Sequence, residues 1–417
     1  MKLSGRLILL FLTIFLASSF ALAGDVELTW RPVSPAELEL KNPVVNPNAD
    51  AEAIFWEVWL DDKKSNKLTY NHYVRVKIFT ELGREKFSKF DIPFYKGRKV
   101  EDVAARVIKP DGSIVELQPG DIFEREIVKA GKVRIQAKSF AVPGIEPGVI
   151  VEYRYSEIVK NDSLNGENLI FQREIPMQRA TYYVRPFKGT SLRFNFRNMP
   201  EMRFSENSDG FYVGTLTNVP ALEEEPRMPP EDEVRYWVSL SYNSFGSGFS
   251  WSFFGYGIGR YLKDATKLTK PIKQKAEDLV NGASSQEDKL RKIYDFSQKS
   301  IRNVSYDSSF TEEQIDRLKL KDADDVLKRG MGSSSDVNLL FAALAKANGF
   351  PIALVFSGDR SETFFDPGKY AGLRYIHPVG VAVLLENKWI YLNPGVKFMP
   401  FGSVSWYEED VSALVAE

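Results

Sequence analysis

The chain of 417 residues contains no cysteine and only two histidines, His72 and His377. The lack of cysteine excludes disulfides and a thiol nucleophile, so packing alone must hold the fold together. A zinc site in such a chain would consist mostly of carboxylates, which is uncommon, and no stretch has the pattern of a calcium-binding loop. We therefore expect no metal and no cofactor.

The sequence also has no excess of charge of either sign. Lysine and arginine number 55 against 56 aspartates and glutamates, and no segment is rich in basic residues. This balance argues against nucleic acid or an anionic membrane surface as the main partner.

Long apolar runs are missing except at the N-terminus. Lys2 and Arg6 precede an apolar stretch at residues 7–16, and Ala21-Leu22-Ala23 follows it. This order is typical of a secretory signal peptide at residues 1–23, cleaved after Ala23. The stretch is shorter than the roughly 20 residues that span a bilayer. We expect a secreted or periplasmic protein with no membrane span after signal removal.

Residues 24–220 read as a β-rich domain. The stretch "NHYVRVKIFTELG" alternates His72, Val74 and Val76 with Arg75 and Lys77, which predicts a strand with unlike faces. Further along, Pro110-Asp111-Gly112 separates two β-rich runs, as in a hairpin. Many short strands with glycine and proline between them predict an antiparallel β-sandwich-like domain.

A change of composition marks the end of this domain. Residues 221–245 are rich in proline and carboxylates, and we interpret them as a connector. Residues 246–417 then show helical spacing followed by strand patterns, which predicts an α+β domain. Its second helix begins near Ser284, the expected N-cap, with Glu287 completing a capping box.

The stretch "KRGMGSSSDVNLLFAALAKANGFPI" carries the candidate site. Its apolar spacing predicts a buried helix beginning near Asp336, whose positive end faces Ser333, Ser334 and Ser335. His377 opens a later strand, and a hairpin would bring Asn393, 16 residues further on, beside it. Nucleophile, histidine and polar orienter in this layout are found in papain-like sites. Equally, a serine run before a helix is ordinarily a cap, and a lone histidine ordinarily has a structural role.

Several of these motifs resemble a known family. The runs "RGMGSSSDVNLLFAALAKANGFPI", "HPVGVAVLLENKWIYLNPG" and "FGSVSWYEEDVSALV" resemble the transglutaminase-like superfamily, and within it a secreted bacterial branch. The stretches "VRVKIFTELGREKF" and "FAVPGIEPGVIVEYRY" are similar to the N-terminal β-rich domain of unknown function in that branch. The resemblance implies a papain-like α+β core, and further β structure is common beyond the point where this chain stops.

The resemblance also implies which residues occupy the catalytic positions. Ser334 falls on the nucleophilic cysteine of the branch, His377 on its histidine, and Asn393 on its aspartate. Asparagine can still orient a histidine. A serine hydroxyl, however, is too basic for a helix end to ionise, so it needs a well-placed general base. Both changes favour loss of acyl transfer.

Three functional hypotheses follow. The first is a catalytically degenerate module that binds a peptide or cell-envelope polymer in the old cleft. The second is a serine hydrolase or acyltransferase for amides or esters that uses Ser334, His377 and Asn393. The third places the function in the β-rich domain. The sequence does not indicate the oligomeric state.

Overall fold

The computed structural model describes residues 28–64, 66–130, 133–242, 251–318, 320–370 and 372–417. The expected signal peptide at residues 1–23 lies outside the described residues.

The N-terminal part is built mainly from strands. In chain order its elements are α1 (Pro35–Leu38), β1 (Ala51–Lys64), β2 (Lys67–Ile78), α2 (Glu81–Lys86), β3 (Lys89–Tyr95), β4 (Arg98–Ile108), β5 (Ile114–Glu116), β6 (Phe123–Ala130), β7 (Val133–Ala141), β8 (Ile150–Lys160), β9 (Asn168–Ile170), β10 (Met177–Arg185), β11 (Leu192–Arg197), β12 (Ser205–Glu206), β13 (Tyr212–Val219) and β14 (Trp237–Tyr242).

These strands form three sheets that share one hydrophobic core. The largest has the order β12-β13-β10-β1-β2-β8-β4-β5, and the smaller ones are β3-β7-β6 and β11-β14-β9. All pairs are antiparallel except β1 and β10, which run parallel. Val74, Phe140 and Leu240, one from each sheet, belong to the same buried cluster. The prediction of an N-terminal β-rich domain is confirmed. Strand β14 falls within the range expected to be a connector.

Strand β2 differs from the expected strand with unlike faces, because both of its faces are buried. Arg75 and Lys77 are 2% and 1% exposed. The Arg75 guanidinium pairs with Glu152 at 2.7 Å and with Glu37 at 2.8 Å, and the Lys77 ammonium donates to the Leu38 carbonyl at 2.8 Å. The segment around α1 therefore covers the polar face of β2. Burial lowers the pKa of Lys77.

The C-terminal part begins with helices and ends with a sheet. Its elements are α3 (Trp251–Ala265), α4 (Lys270–Val280), α5 (Gln286–Ser300), β15 (Arg302–Asn303), α6 (Glu312–Arg317), α7 (Ala323–Arg329), β16 (Met331–Gly332), α8 (Ser334–Ala347), β17 (Ile352–Ser357), β18 (His377–Leu385), β19 (Lys388–Leu392) and β20 (Ala413–Ala416).

Helix α8 is the centre of this α+β core, as predicted. It is buried from Leu339 to Ala345 and packs in one cluster with helices α4, α5 and α7 and with the sheet β19-β18-β17-β20. The sequence prediction of the α5 N-cap is wrong by one residue, because the N-cap is Ser285 and not Ser284. The Ser285 side chain accepts the hydrogen bond from the Asp288 amide, while the Ser284 amide donates to the Asp288 carboxylate. Adjacent serines make this choice ambiguous from sequence.

The loop that leads to His377 packs against the N-terminal part. Trp237 of β14 is fully buried in a cluster with Phe365, Tyr370 and Ile376. The Tyr370 hydroxyl also donates to the Glu233 carboxylate at 2.6 Å. The strand that carries His377 is thus anchored from both halves of the molecule. Across the described part of the chain, no helix is both long and apolar enough to cross a membrane.

Candidate functional site

Ser334 is the first residue of helix α8, two residues before the predicted start. Ser333 is the N-cap: its hydroxyl accepts from the Asp336 amide, and its own amide donates to the Asp336 carboxylate at 2.8 Å. The Ser334 amide donates to the Ser305 hydroxyl at 3.0 Å. One of the free amides expected at a helix N-terminus is therefore already hydrogen-bonded.

The Ser334 hydroxyl contacts a hydrogen-bond donor and not a base. Strand β15 pairs with β16, which places Asn303 beside Gly332 and close to the helix start. The Asn303 amide nitrogen lies 3.3 Å from Ser334 Oγ and donates to the Gly395 carbonyl at 2.8 Å. Because Gly395 O can only accept, it fixes which end of the Asn303 amide faces Ser334.

His377 lies at the end of the sheet where strand β18 begins, and it is partly exposed to solvent. It begins β18 and pairs with Ser357 of β17, and its side chain is 42% exposed. Its Nε2 is 3.8 Å from Oε1 of Glu408, whose side chain is only 6% exposed. Burial raises the pKa of the Glu408 carboxyl, while hydrogen bonds from Ser405 and the electrostatic interaction with His377 oppose that rise.

Asn393 connects three elements, and its side-chain hydrogen bonds go to Val379 and Asn338 and not to His377. It follows β19, whose register pairs Leu392 with Val381. Its side-chain NH₂ donates to the Val379 carbonyl, and its Oδ1 accepts from the Asn338 amide at 3.0 Å. Asn393 is only 6% exposed, so these bonds are largely removed from bulk solvent. The residue ties β18 to helix α8.

A bulge in β18 separates His377 from Asn393. Val355 pairs with Gly380 while Phe356 pairs with Pro378, so Val379 is an extra residue. Among the described residues, no hydrogen bond joins any two of Ser334, His377 and Asn393. Ser334 and Asn393 are linked indirectly through Gly395. Asn303, beside the Ser334 hydroxyl, donates to the Gly395 carbonyl, and Asn338, which donates to Asn393, accepts from the Gly395 amide.

Sequence reasoning missed four residues that surround the predicted positions: Asn303, Ser305, Asn338 and Glu408. Asn338 lies one helical turn after Ser334, so its approach to the helix start was open to prediction. Asn303, Ser305 and Glu408 come from sequence segments typical of turns or of solvent-exposed charged residues. Only the fold brings these three residues to the site. The second histidine, His72, lies in the β-rich part, where it stacks on Tyr155 with ring centroids 4.3 Å apart.

A cavity of about 390 Å³ adjoins Asn393 and Glu408. Its walls are mainly the valines of β17, β18 and β20, and Glu409 and Asp410 add carboxylates. An apolar wall with a few polar groups is the usual character of a ligand site. The described ranges contain no group of three His, Asp or Glu side chains arranged to hold a metal ion.

Two family models match the chain. The model described as a domain of unknown function, DUF3857, matches residues 64–223, and the model described as the transglutaminase-like superfamily matches residues 273–394. The second range contains all three predicted catalytic positions. No curated protein matches the chain.

Solved structures similar to this chain include two bacterial proteins. The first, from Parabacteroides distasonis and titled a "putative protease", is 18% identical, covers 82% of this chain and 67% of its own, and has a TM-score of 0.55. The second, from Cytophaga hutchinsonii and titled a "putative cysteine protease", is 10% identical, covers 80% of this chain and 77% of its own, and has a TM-score of 0.24. At such identity, the first likeness concerns the fold alone. The chain therefore carries a DUF3857 domain followed by a transglutaminase-like superfamily domain.

Proposed function

We propose that this is an exported protein whose transglutaminase-like domain binds a peptide or a cell-envelope polymer strand and does not catalyse acyl transfer. Export rests on the N-terminal signal pattern ending at Ala23. N-terminal sequencing of the mature protein tests it, and we expect Gly24 as the first residue.

The observation that carries the loss of catalysis is the bonding of the three catalytic positions. A serine nucleophile needs a general base within hydrogen-bond reach. The Ser334 hydroxyl instead accepts from the Asn303 amide. The Asn393 side chain donates to the Val379 carbonyl and accepts from the Asn338 amide. The histidine therefore has neither a nucleophile to deprotonate nor the family's orienting partner.

The oxyanion site is impaired as well. An oxyanion is stabilised by backbone amides that point at it without other partners. The amide of Ser334 donates to the Ser305 hydroxyl, so an oxyanion would have to displace that bond. The loss of acyl transfer thus has two structural supports in addition to the serine itself.

The binding part of the proposal is supported by the cavity beside Asn393. Its valine walls suit the apolar part of a peptide, and Glu408, Glu409 and Asp410 suit a basic group. A peptide segment with a lysine or a free amine is the occupant with the best match in charge. The domain would then act as a scaffold for its ligand.

A serine-reactive fluorophosphonate tests the absence of catalysis. We expect no adduct on the wild-type protein by intact mass spectrometry, and none on Ser334→Ala. Labelling of Ser334 that disappears in His377→Ala would disprove the proposal.

One observation favours a second candidate, a serine hydrolase or acyltransferase for amides or esters. Glu408 supplies a buried carboxylate 3.8 Å from His377, so the imidazole has an acidic neighbour even though Asn393 is neutral. In that case, labelling of Ser334 would require both His377 and Glu408. Glu408→Gln would then reduce labelling as strongly as His377→Ala does.

A further inference from the structure

A second cleft lies in the β-rich part, far along the chain from Ser334. It has a volume of about 460 Å³ and opens where β1 and β8 of the large sheet meet β3 and the segment around Leu222. Its floor is aromatic and consists of Trp56, Phe87, Phe90, Tyr153 and Tyr155. We call it the aromatic cleft. Its size lies within the roughly 300–1,000 Å³ of small-molecule sites.

The aromatic cleft contains hydrogen-bond donors without protein partners. Tyr153 and Tyr155 line the cleft, and no hydrogen bond engages either hydroxyl among the described residues. Burial raises the pKa of both phenols, so they remain protonated donors. The indole nitrogen of Trp56 is also buried without a partner. A buried donor such as the Trp56 indole is costly unless an acceptor reaches it.

The charged side chains that line the aromatic cleft are of both signs, and two of the basic ones form ion pairs. Lys86 pairs with Glu174 at 3.0 Å, and Arg235 pairs with Glu231 at 2.9 Å. The Arg173 guanidinium lies 4.3 Å from the centre of the Trp56 ring. With four basic and three acidic side chains in its lining, the aromatic cleft has no strong positive charge that would select a polyanion such as a nucleotide.

Flat aromatic rings and neutral donors together indicate the ligand class. Large rings offer an apolar surface on which the carbon-bound hydrogens of a pyranose can pack. The phenols and the indole can donate to its ring, hydroxyl or acetamido oxygens. We infer that the aromatic cleft is a saccharide-binding site. It is separate from the proposed peptide site beside Asn393, so either can fail without the other.

Calorimetric titration of the full chain with chitotetraose and with cellotetraose tests this inference. We expect at least one of the two sugars to bind. The double variant Tyr153→Phe/Tyr155→Phe keeps both rings and should bind about five- to tenfold more weakly for each hydroxyl lost. Tyr256→Phe, an exposed tyrosine on α3, is the matched control and should bind as the wild type does.

Two results would overturn the inference. One is the absence of binding by both sugars at concentrations up to about 5 mM, the range of weak saccharide sites. The other is wild-type affinity in the double variant. If that variant does not fold, Trp56→Phe removes the indole donor together with part of the ring surface and must weaken binding. Glu409→Gln must leave binding unchanged, because Glu409 lines the cavity beside Asn393 and loss of binding in this variant would place the sugar in that cavity.

Discussion

The Asn393 side chain donates its hydrogen bond to the carbonyl of Val379, two residues beyond the histidine it would orient in an active enzyme. The polar group at the third catalytic position is therefore part of the structural framework. It joins β18 to helix α8 through Asn338 and is only 6% exposed.

Restoring the family's aspartate at this position should destabilise the protein. Asn393→Asp removes the NH₂ donor and leaves a carboxylate facing the buried Val379 carbonyl. We expect a loss of roughly 1–3 kcal/mol in the free energy of unfolding, measured by urea denaturation. The same exchange at Asn387, exposed in the turn of the same hairpin, should have little effect. Equal stabilities of the two variants would contradict this role of Asn393.

Gly395 should not tolerate a side chain. A Cβ at this position would lie 2.2 Å from the Ser334 carbonyl oxygen, so the backbone at the start of α8 would have to move. Gly395→Ala should therefore cost about 1–3 kcal/mol of unfolding free energy. Gly257→Ala in helix α3 is the control: its Cβ meets nothing within 4 Å, and alanine should stabilise that helix by up to about 1 kcal/mol. An unchanged stability of Gly395→Ala would show that the contact is relaxed in solution.

The sequence pattern predicted the parts of this structure that depend on local preferences. The hairpin at Pro110-Asp111-Gly112 forms, and Gly112 has the positive φ of 82° that such a turn requires. Helix α7 ends at Gly330 with a φ of 63°, the left-handed conformation that glycine favours at a helix end. In both cases, one or two residues decide the backbone conformation.

Contacts between segments far apart in the chain could not be predicted in this way, because no one or two neighbouring residues decide them. The burial of Arg75 depends on Glu152, 77 residues away, and the neighbour of His377 is Glu408, 31 residues further on. Alternation in β2 predicted the strand but could not show that α1 covers its polar face. Likewise, the residue types at Ser334, His377 and Asn393 indicated the catalytic positions but not the bonds each one makes.

The stability of the protein should report on the buried Glu408 carboxyl. Its pKa is raised in the folded state, so between its unfolded value near 4.5 and its folded value the unfolded chain releases a proton that the folded chain retains. Stability from this group is therefore lost as the pH rises through that window. Glu408→Gln should unfold at higher urea concentration than the wild type at pH 7.5, with a smaller difference at pH 4.5.

The neighbouring Glu409 gives the control for this pH dependence, because it is exposed. Glu409→Gln should follow the wild type at both pH values. A gain in stability for Glu408→Gln that is the same at both pH values would mean that ionisation of Glu408 is not its cause.

The most direct test of whether the three catalytic positions still act together is the reactivity of a thiol at Ser334. Because the chain contains no cysteine, Ser334→Cys introduces a single thiol, whose alkylation by iodoacetamide at pH 6 reports its thiolate fraction. Ser335→Cys, exposed at the next position, is the reference. We expect the Ser334→Cys rate to change by no more than about twofold when His377→Ala is added, since no bond connects these residues. A fall of about tenfold or more would show that the histidine still activates this position, and it would contradict the loss of acyl transfer proposed for this domain.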